Sequence, residues 1–218
     1  MATRPVFIPT PQTPRLIREL IVEFEWYPGF SKAQAQRSIN SLHEAAKEKN
    51  KITPILDISS KSPDELGVKL SAFNLTLKTQ DQTLSVECAY QGSKVFKNGG
   101  PYYDIYSKTS REAKKDERLK NSGFFKSYNF FGQDFPTKPT TAFYNWLYLK
   151  ALSQNPDLAN QLSQYQGFTD IAFNPNRAIN CQARAAALFV ALSERGDLQK
   201  VLEDQDYYLS LIDRKIKI

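Results

Sequence analysis

The stretch Ser85-Val86-Glu87-Cys88-Ala89-Tyr90-Gln91-Gly92-Ser93-Lys94-Val95-Phe96 decides how the rest of this 218-residue chain reads. Ser85 is a helix-capping residue type, and the side chains after it recur at helical spacing. Glu87, Tyr90, Gln91 and Lys94 stand at i, i+3, i+4 and i+7, so they share one face of a helix predicted through Phe96. The opposite face carries Cys88, Gly92 and Val95, small or apolar residues suited to close packing. Glu87 falls in the first turn, where unpaired backbone N–H groups and the helix dipole favour negative charge. A carboxylate, an amide and an ammonium on one stripe suit a polar ligand. The same spacing also describes an ordinary solvated face with a charge pair.

Upstream of this stretch, Pro5, Pro9, Pro11 and Pro14 exclude regular helix, and residues 1–15 read as an extended N-terminal arm. Val22, Phe24 and Trp26 alternate with Glu23 and Glu25, the period of a half-buried strand. Ser31 with Gln34 predicts a capping box and a helix to about Lys49, with Ile39, Leu42, Ala45 and Ala46 inward. A strand over 52–58 follows, then a short helix to Ser71 opened by Ser62-Pro63-Asp64-Glu65. Residues 75–78 and 83–86 read as a hairpin around Gln80-Asp81. Downstream, Asn98-Gly99-Gly100-Pro101 ends the central helix, and a second helix is predicted over 110–119. Residues 122–139 read as an aromatic loop, after which Thr140 or Thr141 caps a bulky apolar helix. Asn155-Pro156-Asp157 starts another helix, and residues 168–173 are briefly extended. Asn180 is read as the cap of an apolar helix ending at Gly196, and a last helix runs from Asp197 to about Ile212, ahead of a basic tail. Nothing divides residues 16–218, so the expectation is a single α+β domain, mainly helical, with a few short strands.

Composition narrows the chemistry. The chain has one histidine, His43, so a histidine ligand set or a Ser–His base runs through that residue or not at all. His43 follows the apolar Leu42 and reads as a packed or surface side chain. Cys88 and Cys181 form no C-x-x-C pair, which leaves a structural zinc without ligands. No metal and no cofactor are expected. A catalytic site must then be built from carboxylates, amides, hydroxyls and lysines. Two distant cysteines suit a reducing compartment. The start, Met1-Ala2-Thr3-Arg4-Pro5, lacks an apolar leader core, and no apolar run approaches the ~18 residues of a membrane span. The expected location is the cytoplasm, without a membrane partner.

The central stretch resembles the signature helix of the NADAR (YbiA-like) family, Ser-x-Glu-x-x-[Tyr/Phe]-Gln-x-x-Lys-x-Phe. Ser71-Ala72-Phe73-Asn74 is similar to that family's Ser-Asn-Phe block, Thr169-Asp170 to its Asn-Asp pair, and Asn180 with Ala183, Leu188 and Leu192 to its closing helix. The likeness covers about residues 55–195. Within the family, Trp26-Tyr27-Pro28-Gly29-Phe30-Ser31, Ser41-Leu42-His43-Glu44-Ala45, Ser59-Ser60-Lys61-Ser62 and Ser110-Arg111-Glu112-Ala113-Lys114 look closest to the branch encoded beside a DarT-type DNA ADP-ribosyltransferase toxin. The resemblance implies a YbiA-like fold and an antitoxin that hydrolyses the N-glycosidic link between ADP-ribose and guanine in DNA. The sequence leaves DNA or RNA, and direct toxin contact, open. Two departures stand out: Phe130 or Phe131 takes the place of the family's central tryptophan, and Ala172-Phe173-Asn174 stands where Tyr-Trp-Gly is usual.

Glu87, Lys61 and Asp170 are the candidate catalytic residues, with Lys61 read alternatively as a surface lysine beside a helix start and Asp170 as a brace for the turn at Asn174-Pro175. Glycosidic cleavage needs a proton for the leaving nitrogen and stabilisation of an oxocarbenium-like centre, which a carboxyl group supplies. A glycosylamine also opens to an imine that a neutral lysine captures as a Schiff base, and Lys61 is preferred for this over Lys94. ADP-ribose contacts are assigned to Ser60, Ser71, Phe73, Asn74, Tyr90, Gln91, Lys94, Phe130, Phe131, Asn180 and Arg184. Asn180 and Arg184, at i and i+4, form either a pyrophosphate clamp or a cap with a surface charge. Residues 91–130 hold nine basic side chains against four acidic ones, five of the six net positive charges. Arg111, Lys115 and Arg118 are spaced to share a helical face and are the expected DNA contacts, a solvated basic helix being the alternative. Two other functions fit part of the pattern: an N-glycosidase acting on a riboflavin-pathway intermediate, and a non-catalytic ADP-ribose reader or toxin-neutralising protein.

Overall fold

The protein is described by a computed structural model over residues 1–175 and 178–213. Strand β1 (Ala2–Thr10) pairs antiparallel with β2 (Leu16–Phe24) along its full length, from Ala2 opposite Phe24 to Thr10 opposite Leu16. The extended arm expected at the N-terminus is thus an integral strand, with Val6 and Phe7 fully buried. Its other edge meets β9 (Gly167–Thr169), antiparallel through Phe7 and Phe168. β9 in turn runs parallel to β3 (Ile55–Asp57), giving the order β2-β1-β9-β3.

Alternation along these strands buries both faces. Val6, Val22 and Phe24 pack with Ile39, Leu42 and Ala46 of helix α1 (Lys32–Asn50). Phe7, Leu16 and Phe168 face the larger core on the other side. That core is dominated by α6 (Ala142–Ser153) and the alanine-rich α8 (Gln182–Arg195), whose small side chains let it lie close to the sheet. Ser31 caps α1 by accepting from Gln34 N at 3.2 Å. The return bond of the expected capping box is missing, because Gln34 Oε1 has no partner.

Helix α2 (Glu65–Lys69) is capped by Asp64, which accepts from Leu66 N at 2.8 Å, two residues after the Ser62 cap the sequence suggested. The hairpin of β4 (Thr76–Lys78) and β5 (Thr83–Ser85) forms where expected and leads into α3 (Val86–Gly92). Here the helix is shorter than its spacing implied. Tyr102 N donates to the Gly92 carbonyl at 2.7 Å and Asn129 N to the Ser93 carbonyl at 2.8 Å, so those acceptors bond across the fold and not along a helix. Residues Lys94–Phe96 become strand β6, and Lys94 and Val95 leave the helical faces assigned to them. Gly92 is required at this junction: a Cβ there would run into the Tyr106 ring.

The expected aromatic loop is also a sheet. β7 (Phe125–Phe130) pairs with β6 and with β8 (Gln133–Phe135), and Tyr128, Phe130 and Phe135 are buried. The turn between them uses positive φ at Phe131 and Gly132. The helix expected over 110–119 splits into α4 (Ser110–Lys115) and α5 (Arg118–Asn121). Asp116 causes the break, accepting from Arg118 N at 3.1 Å and Arg118 Nε at 2.9 Å. α7 (Pro156–Ala159) follows α6. Cys181, not Asn180, occupies the cap position of α8, and Gly196 ends that helix with φ of 79°. The last helix is likewise two, α9 (Leu198–Glu203) and α10 (Gln205–Asp213), with Asp204 accepting from Tyr207 N at 2.8 Å between them. The basic tail lies outside the described residues. The α+β class holds, with nine strands in three sheets among the described residues where a few short strands were expected. Among the described residues no helix is long and apolar enough to cross a membrane.

Candidate active site

Three connections converge on one cleft of about 320 Å³: the loop after β3, the Ser71–Phe73 turn with α3, and the segment from β9 to α8. Asp57 sets the first and third. Its carboxyl, fully buried at the end of β3, accepts from Ser59 Oγ at 2.6 Å, Thr169 Oγ1 at 3.1 Å and Ile171 N at 2.9 Å. The chain leaving β9 is thereby fixed so that Asp170 lines the cleft opposite Ser59 and Ser60. Ala172 N and Phe173 N both donate to Asp170 Oδ1, at 3.0 and 3.2 Å. Burial, and then repulsion from Asp57, push the Asp170 carboxyl up to about 7. Burial also raises Asp57, to about 6, against the pull of its three donors.

α3 supplies the opposite wall. Glu87 is only 7% exposed and its Oε1 accepts from Gln91 Nε2 at 2.9 Å. Lys94 Nζ donates to Gln91 Oε1 at 2.7 Å. A lysine has only donors, so this contact fixes which end of the amide meets Glu87. Burial pushes the Lys94 ammonium down to about 8, with Glu87 opposing the shift, and its Nζ sits 4.6 Å from the Tyr90 ring centre. Tyr90 is held in turn by Asn180 Nδ2, which donates to its hydroxyl at 2.7 Å, and by Tyr128 at 3.1 Å. Among the described residues, Asn180 Oδ1 is buried without a hydrogen-bond partner.

Of the residues expected from sequence, Glu87, Asp170, Ser60, Ser71, Phe73, Tyr90, Gln91 and Asn180 line the cleft together. Lys61 does not line it; its N–H donates to the cleft residue Ser59 at 3.2 Å while its Nζ donates to the Phe30 carbonyl at 3.4 Å. Asn74 is exposed and braces its turn through the Val68 carbonyl at 2.8 Å. Phe130 is buried against Trp146 and Tyr106, and Phe131 stacks on Tyr103, so neither ring reaches the cleft. Arg184 opens onto a separate pocket with Glu19 and Thr140, across the Phe173 segment. Arg111 and Lys115 are exposed on α4. Arg118 is not on their face: it belongs to α5 and donates to Asp104 at 2.6 Å and Asp116 at 2.8 Å.

Sequence reasoning missed Lys114, Tyr144, Phe173 and Gln182. Lys114 stands at the rim, 5.3 Å from the Phe73 ring centre, because Ser110 at the start of α4 donates to the Phe73 carbonyl at 2.8 Å. Gln182 spans two cleft walls, accepting from Ala72 N and donating to the Ile58 carbonyl, each at 2.7 Å. Its signal was legible, a lone amide at the head of an alanine-rich helix. Tyr144 carried none, being one aromatic among many on α6.

His43 is packed, as its sequence setting suggested. Thr169 donates its hydroxyl to Asp57, so the 2.9 Å contact between His43 Nε2 and Thr169 Oγ1 is donated by the imidazole. Burial holds that ring down to about 4.

A comparison with curated proteins finds no match. The model of one protein family, described as the DarT1-associated NADAR antitoxin, matches residues 2–217, nearly the whole chain. A match over that range makes the protein a member of the DarT1-associated NADAR antitoxins.

Proposed function

We propose that the cleft removes ADP-ribose from guanine bases in DNA and that this repair is the antitoxin activity. The observation that carries the reading is two carboxyl groups, Glu87 and Asp170, opening into one cleft walled by hydroxyls, amides and aromatic rings. The bond to be broken joins the anomeric ribose carbon to the exocyclic nitrogen of guanine. That nitrogen departs as an amine only when it gains a proton, and the ribose carbon passes through a cationic centre. Asp170, which holds its proton to about pH 7, suits the donor. Glu87, oriented by Gln91 and Lys94, suits the group that faces the cation and takes a proton from water. The water oxygen then bonds to the anomeric carbon, the electron pair of the broken bond stays on nitrogen, and ADP-ribose leaves. Phe73, Tyr90 and Phe173 offer ring faces, Asn180 and Ser71 meet hydroxyls, and Lys114 meets phosphate at the rim.

A second route keeps Lys61. Its backbone is tied to Ser59 on the cleft wall and it follows Ser60, so this route requires Nζ to leave the Phe30 carbonyl and turn into the cleft to capture a ring-opened imine. Borohydride separates the two: ADP-ribose trapped on the protein assigns the lysine route, and an unmodified protein assigns direct water attack.

The function itself is tested with guanine- and thymine-ADP-ribosylated oligonucleotides. Release of ADP-ribose from the guanine substrate alone is expected, and Glu87→Gln should reduce it at least about 100-fold. Release from both substrates, or from neither, refutes guanine specificity. Protection of cells from the toxin by Glu87→Gln would mean neutralisation by binding.

A further inference from the structure

We infer that the loop Trp26-Tyr27-Pro28-Gly29-Phe30, with the cations around it, is a ledge on which the nucleotides flanking the modified guanine stack in a single DNA strand. This rests on the proposed function for the identity of the base in the cleft, and extends it to the rest of the strand. Phe30 is 100% exposed at the tip of the loop, where Gly29 turns the chain at φ of 134°. No core contact explains a phenylalanine there. Trp26 is 37% exposed, packed edge-on against Phe24, and carries the Arg4 guanidinium 5.3 Å from its ring centre. The Arg37 guanidinium lies 5.3 Å from the Tyr27 ring centre, and Lys61 Nζ reaches the Phe30 carbonyl at 3.4 Å. Lys32 lies two residues beyond Phe30, and the first turn of α1 holds no acid. The loop's own acid, Glu25, accepts from the Tyr27 hydroxyl at 2.8 Å.

Ring faces interleaved with cations match the chemistry of a single strand, in which each base offers a π-face and each link a phosphate. Four cations against Glu25 in the loop and Asp170 near Arg4 favour a polyanion over an apolar protein surface. The ledge also adjoins the cleft on two sides. Lys61 extends the Ser59–Ser60 wall, and Arg4 interacts electrostatically with Asp170. A strand with its modified guanine in the cleft would leave that wall across the loop.

The test uses Phe30→Ala, which removes a side chain with no buried contact, and Trp26→Ala beside it. Binding of an unmodified single-stranded oligonucleotide of roughly twelve nucleotides is read by fluorescence anisotropy, and needs no glycosidase activity. Phe30→Ala should weaken it about tenfold, with thermal unfolding unchanged. In cleavage, KM for the ADP-ribosylated oligonucleotide should rise by a similar factor in both variants, while turnover of ADP-ribosylated guanosine stays as in the unaltered protein. Unchanged oligonucleotide affinity in Phe30→Ala overturns the ledge. So does loss of toxin binding with oligonucleotide binding intact, which would make the loop a protein-docking site. If the unaltered protein binds the oligonucleotide through Phe30 yet cleaves neither substrate, the ledge stands and the glycosidase reading fails.

Discussion

At the scale of single residues, the two aspartates at the sheet end differ in what they face. Both carboxyls have hydrogen-bond donors, Asp57 from Ser59, Thr169 and Ile171 and Asp170 from Ala172, Phe173 and the Gln182 side chain, but of the two only Asp170 lines the cleft. If Asp170 is the proton donor, kcat/KM falls as pH rises through about 7, where its proton is lost. Removing the Asp57 charge by Asp57→Asn takes away one cause of the raised value, so the falling limb should move to lower pH. A pH–rate profile checks this; a limb that stays in place assigns the proton to another group. Lys94 shows what spacing alone cannot read. It is in place beside Gln91 as its position in the stretch suggested, but it arrives there from a strand.

Elements explain why the cleft has its shape. α2 packs on β3 at Gly67, where a Cβ would overlap the Asp57 carbonyl oxygen and the Ser62 hydroxyl. Gly67→Ala should therefore destabilise the protein by about 3 kcal/mol in chemical denaturation, the upper end for overpacking. α1 is joined to β9 by His43, whose ring donates to Thr169. Its folded-state value, about 4, is below that of a free imidazole near 6.5, so its contribution is complete above that value and is lost as pH falls toward 4. Between pH 7.5 and pH 5 the unaltered protein should lose roughly 1–2 kcal/mol more than His43→Gln, measured by denaturation at the two pH values.

For the whole molecule, the basic excess of residues 91–130 is not uniform. Lys108 and Arg118 are spent on Asp104 and Asp116. Arg111 and Lys115 remain exposed on α4, the helix whose Lys114 rims the cleft. DNA binding should weaken steeply with salt, and Arg111→Ala with Lys115→Ala should reduce the log–log slope by about two. Arg118→Ala should leave that slope unchanged, since its charge is already paired. A salt titration of oligonucleotide affinity checks both, and a flat response removes α4 from the DNA interface.

Local signals were sufficient where a residue's neighbours in sequence are also its neighbours in space. Ser31 caps α1, Gly196 ends α8, the β4–β5 hairpin closes as its turn residues require, and the stretch from Ser85 puts Glu87, Tyr90 and Gln91 on one wall. A single histidine and two distant cysteines in the sequence already directed the proposed chemistry to carboxyls, amides, hydroxyls and lysines. Tertiary structure decided what depends on partners far along the chain. It ended α3 at Gly92, because Tyr102 and Asn129 take the next carbonyls, and made a sheet of the aromatic run. It withdrew Arg118, buried Phe130, and brought Lys114 and Gln182 to the cleft. Hydrogen bonds and charge pairs between segments tens of residues apart leave no period in the sequence, so only the packed chain shows them.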